Sequence, residues 1–303
     1  MPYYYTTRRQ APAVTFEFFR YRFHFRAYEA VAFPPGKSAN VLRGAFGALL
    51  RASATPEDYA RLFQPGAGLR KSPSGLADWP RSFVFRASHL DGRTILADHS
   101  FFVDIHIFDL RNPVLPYFRA AFEQLSVHGI GPGRGRARLE RVERLDLEGN
   151  PSPSTDEAAA PTVITLDPGS KRASRAGVSF RTPTELKAGG RVAGRPDFPV
   201  LFGRLRDRIS TLRSLYGEAP YDLDYRGLSE RADQVVLTEC KLAWEHVERR
   251  SGRTGQVHPL GGFTGTATYE GDLREFLPWL RAARWVGVGR QTVWGKGEMI
   301  VLS

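Results

Sequence analysis

The sequence predicts an α+β protein made of two successive βαββαβ units, the ferredoxin-like arrangement. Three observations carry this. Strand-like alternation and helical periodicity follow one another as strand, helix, strands, helix and Gly-rich strand, and the second half repeats that order. Each half also ends in a Gly-rich, basic stretch directly after a helix, HGIGPGRG at 128–135 and WVGVGRQTVWGKG at 285–297. Between the halves, EGNPSPSTDEAAAPT (148–162) is polar, Pro-rich and nearly free of large apolar residues, as a linker is. The expected units are residues 1–147 and 163–303, joined by 148–162.

The first strand is TFEFFRYRFHFRAY, Thr15 to Tyr28. Phe19, Tyr21, Phe23, Phe25 and Ala27 share one face by their period of two, and Arg20, Arg22, His24, Arg26 and Tyr28 share the other. After the turn FPPGKS, which contains Lys37, a helix is expected from Ala39 to Ala52 with Ser38 as its N-cap. Val41, Leu42, Ala45, Phe46, Leu49 and Leu50 form its apolar side, and Asn40, Arg43, Gly44, Gly47 and Arg51 the remainder. Two glycines inside a helix each cost about 1 kcal/mol relative to alanine, so a close neighbour is expected there.

Residues 55–80 read as a short helix and a loop. SFVFRA and TILADHSFFVDIHIFD give further strands, with His106 on a sheet face, and a helix follows from Pro113 to Val127. Beyond the linker, a strand is expected around VSFRTPTEL and a helix from Phe198 to Tyr216. Strands near QVVLTECKLAWEHV follow, then a hairpin in GGFTGTATYEG. The last helix, DLREFLPWLRAARW, carries Asp272 and Glu275 at capping-box spacing and Pro278 as a kink. The segment 285–302 closes the chain: Gly287, Gly289, Gly295 and Gly297 would let the backbone turn N–H groups toward phosphate oxygens, with Arg290, Trp294 and Lys296 beside them. Its spacing is not GxGxxG and it follows a helix, which excludes a dinucleotide fingerprint. A Gly-rich hairpin that only closes a sheet is the alternative reading.

In 303 residues, 43 Lys and Arg face 32 Asp and Glu, a net charge of +11. Such an excess points to nucleic acid or another acidic surface as partner. Open four-stranded sheets of this kind are also the RRM-like RNA-recognition scaffold. The longest apolar runs fall short of the roughly 18 residues a membrane span needs. No export signal is visible, and the single cysteine, Cys240, excludes an internal disulfide and a Cys-based zinc site. A cytoplasmic protein without membrane partner is expected, and neither a metal site nor a cofactor.

Five segments, in order, resemble the endoribonucleases that process CRISPR precursor RNA, family six of the Cas proteins within the RAMP superfamily. They are LRGAFGALLR (42–51), HGIGPGRGRARL (128–139), RLRDRISTLRSLYG (204–217), GGFTGTATYEGDLREFLPWL (261–280) and GVGRQTVWGKGEM (287–299). The most specific mark is the pattern Gly-x-Gly, five residues, Gly-x-Gly at 287–297. The resemblance implies tandem ferredoxin-like domains, CRISPR repeat RNA as partner, and one metal-independent cut per repeat by attack of a 2′-OH on the adjacent phosphate. The basic residues and the Gly-rich segments give the candidate RNA contacts: Arg20 and Arg22 on the polar face of the first strand, for which a plain solvated face is the alternative, then Arg43, Arg51, Arg134, Arg136, Arg290, Trp294, Lys296 and the four glycines of the last segment. Many relatives resemble GAFGHAL in the first helix, with a histidine where this chain has Ala48. The catalytic candidates are then His24, Tyr28, Lys37 and His258. The alternatives are catalysis by positioning with Arg and Lys, or a subunit that binds one end of the guide RNA beside other Cas subunits of an interference complex without cutting.

Overall fold

The computed structural model describes residues 13–66, 79–152, 160–246, 248–250, 257–259 and 261–302, with 248–250 and 257–259 as backbone only. In the first half, β1 (Thr15–Ala27) is followed by α1 (Ser38–Ser53) and α2 (Pro56–Phe63). Next come β2 (Phe83–Arg86), β3 (Ser100–Ile107), α3 (Leu115–Glu123), α4 (Leu125–His128) and β4 (Ala137–Arg144). The strands stand in the order β2-β3-β1-β4, and β5 (Thr162–Thr165) pairs with the first residues of β1. Residues 153–159 of the expected linker lie outside the described residues.

The second half runs β6 (Arg175–Thr184), α5 (Phe198–Tyr216), α6 (Tyr225–Ala232), β7 (Val236–Glu245), β8 (Glu248–Arg250), β9 (Val257–Pro259), β10 (Gly262–Glu270), α7 (Leu277–Val286) and β11 (Met299–Leu302). Its main sheet has the order β7-β10-β6-β11. In both sheets the second, third, first and fourth strands of the unit are neighbours, which is the ferredoxin-like order. The expected fold class is the observed one.

From Tyr21 onward β1 behaves as its alternation demands. Tyr21, Phe23, Phe25 and Ala27 are buried, and Phe23 packs on Phe118 and Phe122 of α3. Phe46 anchors α1 in the same core, stacked on Phe118 with ring centroids 3.9 Å apart. Toward the start of the strand the opposite face is buried as well: Phe16, Phe18 and Arg20 lie under the second half of the molecule, where Phe18 meets Trp285. Arg20 is therefore not on an open cationic face. Contact between the halves overrides the local pattern.

Four local expectations change. Ser38 is the first residue of α1 and not its side-chain cap: its hydroxyl donates to the Ala87 carbonyl (2.7 Å), and the Asp91 carboxylate accepts from its N–H (2.9 Å). GGFTGTATYEG is one strand, β10, not a hairpin. The helix expected from Pro113 to Val127 is split into α3 and α4. The last helix starts at Leu277, so Pro278 sits in its first turn, where a missing N–H needs no partner and no kink follows. Glu275 pairs with Arg231 instead of capping.

His106 lies at the contact between the halves, 3% exposed, and donates from Nδ1 to the Trp285 carbonyl at 2.8 Å. Burial, helped by the Arg86 charge, pushes its pKa from 6.5 down to about 3. The folded chain thus binds this proton less readily than the unfolded chain. Stability from this group is full above pH 6.5 and falls as pH drops below it, by up to about 1.4 kcal/mol per unit. Urea midpoints measured between pH 7 and 5 should fall more steeply for the parent than for His106→Asn.

Candidate nucleic-acid interface

The two Gly-rich segments, remote in sequence, meet at the N-terminal end of α1. The first, between α4 and β4, is closed by an Ile130–Gly135 bridge; Gly131 lies beside Val41 and the Ala32 carbonyl, and Arg134 is exposed near its tip. The second runs from Gly287 to Gly297 and packs on the other side of the helix. A Cβ on Gly295 would lie 2.4 Å from Cβ of Ala39. Lys296 Nζ donates to the Gly36 carbonyl at 2.9 Å, holding the turn that carries Lys37. The Arg43 guanidinium lies 5.1 Å from the Trp294 ring and 4.9 Å from that of Phe63, joining loop, helix and core.

The glycines serve the loop's own fold. Gly297 has φ 69°, and a Cβ there would sit 1.9 Å from the Val288 carbonyl oxygen. The N–H groups of Gly287, Gly295 and Gly297 donate to the carbonyls of Ala283, Thr292 and Pro183. These three cannot also cradle a phosphate, as the sequence led us to expect. Lys296 is 3% exposed, and burial lowers its pKa. Its charge is spent on the turn rather than offered at the surface.

Between the two loops α1 shows the side that the core leaves uncovered. Gly44, Ala48 and Arg51 are exposed and Asn40 is partly so. The small residues leave room: a Cβ on Gly44 would meet nothing within 4 Å, whereas one on Gly47 would strike the Phe63 ring at 2.6 Å. The bordering cations are Lys37, partly exposed; Arg51, over Tyr59; Arg134; and Arg290, half exposed and paired with Glu185. A low floor with a cationic rim suits the backbone of a polyanion.

Residues 178–299 match the family profile described as CRISPR-associated endoribonuclease Cas6. That match lies within the second half of the chain, which is similar to the Cas6 family over this stretch. Residues 16–164 match a second profile, described as an N-terminal domain. Among solved structures, Thermus thermophilus Cas6 is similar at 20% identity and a TM-score of 0.54, over 97% of this chain and 100% of that one. A Cas6 product complex reaches 0.58 at 20% identity, over 94% and 99%. A chain of a Cas6-RT-Cas1–Cas2 complex reaches 0.59 at 14% identity, over 96% of this chain and 29% of that one. At these identities the likeness is one of fold. No curated protein matches the chain.

The remaining candidates are scattered. His24 lies on the sheet face opposite α1, its Nε2 2.6 Å from Glu143. Asp104 binds both Arg20 (3.1 Å) and Arg22 (2.7 Å). Burial raises the pKa of Asp104, but the hydrogen bond and charge of Arg22 and the charge of Arg20 outweigh it and hold the carboxyl below its usual range. Arg26 pairs with Glu140, and Arg136 with Glu29. Tyr28 is 46% exposed beneath Arg138. His258 stands opposite Arg249 in the β8–β9 ladder, and its side chain lies outside the described residues. Among the candidates whose side chains are described, Lys37 is the one that directly precedes α1.

The acids Asp104, Glu140 and Glu143 were missed from sequence. They stand on the strands flanking β1, opposite Arg22, near Arg26 and opposite Arg22 again, a signal visible only once the strand pairing is known. Asn40 was seen but given no role, and the close neighbour expected at both helix glycines is present at Gly47 but not at Gly44. Among the described residues no group of His, Cys, Asp and Glu could hold a metal ion, and no helix is long and apolar enough to cross a membrane.

Proposed function

We propose that this chain is a Cas6-type endoribonuclease that binds CRISPR repeat RNA across α1 and the two Gly-rich loops and cuts it once without a metal. The observation that supports this is the meeting of both loops, one from each half, at the small-residue face of α1. The 2′-OH preceding the scissile phosphate attacks phosphorus and loses its proton, and the P–O5′ bond breaks. The products are a 2′,3′-cyclic phosphate and a 5′-OH. Such a reaction draws on a base, an acid and cations for the phosphorane charge. Lys37 and the exposed guanidinium of Arg134 supply charge, with Arg290 at the edge. The place that a histidine takes in many relatives is Ala48, so the reaction rests on positioning and charge and is slow.

A second reading is a RAMP subunit that holds one end of guide RNA beside other Cas subunits and does not cut. Ala48, exposed and without a titratable group, favours it. Both readings place RNA on the same surface. Lys37→Ala, Arg134→Ala and Arg290→Ala should each weaken binding of the cognate repeat, and each should reduce the slope of log K against log salt by about 0.7 per lost phosphate contact. His24→Ala should leave affinity unchanged. If the three cation variants bound with parental affinity and slope, RNA would lie elsewhere.

A further inference from the structure

The end of α7 is held by side chains that the RNA surface does not use. The Trp285 carbonyl accepts from His106 Nδ1 at 2.8 Å and from Arg86 Nη2 at 3.4 Å, and the next carbonyl, Val286, accepts from Arg208 Nε at 2.8 Å. Arg20 lies over the Trp285 ring, and His106 meets that ring edge-on. His106, Arg86 and Arg208 are all buried. His106 and Arg86 come from the first half of the chain, Arg208 from α5 of the second.

Carbonyls at a helix C-terminus lack intrahelical partners and carry the negative end of the helix dipole, so donors and cations are favourable there. What sits here is unusual in amount. Two guanidiniums and an imidazole converge on two carbonyls, and Arg86 Nε and Nη1 are buried with no partner among the described residues. Leaving buried donors unmet is costly, so packing alone would favour an apolar side chain at position 86. The next residue after Val286 is Gly287, where the second Gly-rich loop begins, and Arg86 Nη2 would lie 3.3 Å from a Cβ placed there.

We propose that His106, with Arg86 and Arg208, acts as a positioning residue that clamps the end of α7 and thereby fixes the Gly287–Gly297 loop against α1. The proposal rests on the reading of that loop as part of the RNA surface. His106 works as a neutral donor: its lowered pKa keeps it uncharged, and the carbonyl partner requires the proton on Nδ1. It touches no RNA.

The test compares His106→Leu with His106→Asn, two side chains of similar shape of which only the second offers an N–H where Nδ1 stood. Hydrogen exchange of the loop amides Val288, Arg290, Trp294, Gly295 and Gly297 is read, beside affinity for cognate repeat RNA carrying a 2′-deoxy at the cut site. With His106→Leu, loop exchange should rise at least tenfold and affinity fall about tenfold, while the amides of β10 exchange at the parental rate; His106→Asn should restore both. Parental exchange in His106→Leu, or equal exchange in both variants, overturns the clamp. If His106→Leu does not fold, Arg208→Met removes the donor to Val286 and should give the same local rise; its absence overturns the clamp equally. Should no form bind RNA, the functional reading fails, while the exchange rates still decide whether the clamp exists.

Discussion

Replacing Ala48 with histidine is expected to accelerate single-turnover cleavage of the cognate repeat by about a hundredfold or more, the usual contribution of a well-placed general base. Position 48 lies on the exposed side of α1, one turn beyond Gly44, and nothing crowds that side. An imidazole fits there, and its pKa near neutrality suits proton abstraction from a 2′-OH. Ala48→Gln, of comparable bulk and no useful basicity, should stay at the parental rate. If Ala48→His were no faster than the parent while binding RNA equally well, the reaction would not take place on this helix.

Gly297→Ala is expected to have the largest structural effect. A left-handed backbone costs a non-glycine residue about 1–3 kcal/mol. The collision of the new methyl with the Val288 carbonyl adds to that, because Val288 N–H donates to the Gly297 carbonyl (2.9 Å) and the two strands of the loop cannot separate without losing this bond. RNA affinity should fall with it. Gly44→Ala is the contrasting case, helical and unobstructed, and should stabilise by about 0.5–1 kcal/mol. Urea unfolding of the two variants checks both signs. Equal stability of Gly297→Ala and the parent would mean that the loop is not built as described.

The parts of this fold that could be read from sequence are those in which one face decides. The helix expected at Phe198–Tyr216 is α5 residue for residue, and β1 was found to within one residue because its aromatic alternation is long. Failures came where a distant segment sets the environment. Arg20 and Arg22 looked like an RNA-facing stripe because Asp104, 82 to 84 residues away, was not known to lie beside them. Lys296 looked like a surface cation because the Gly36 carbonyl it reaches belongs to the other half. The glycines of 287–297 were read as turning their backbone toward phosphate, but their neighbours proved to be the loop itself, the Glu185 carbonyl, Arg86 and Ala39. No local signal reveals that the N–H groups are already used.

Cleavage chemistry tests the role of the helix with Ala48 most directly. The protein is incubated in EDTA with its cognate repeat RNA, and in parallel with the same RNA carrying a single 2′-deoxy at the cut site. One slow cut of the first is expected, giving a 2′,3′-cyclic phosphate and a 5′-OH, and no cut of the second despite equal binding. Cleavage of the deoxy substrate, or cleavage that stops in EDTA and returns with magnesium, would contradict the mechanism. Tight binding of both RNAs without any product would contradict the enzyme and leave the guide-binding subunit.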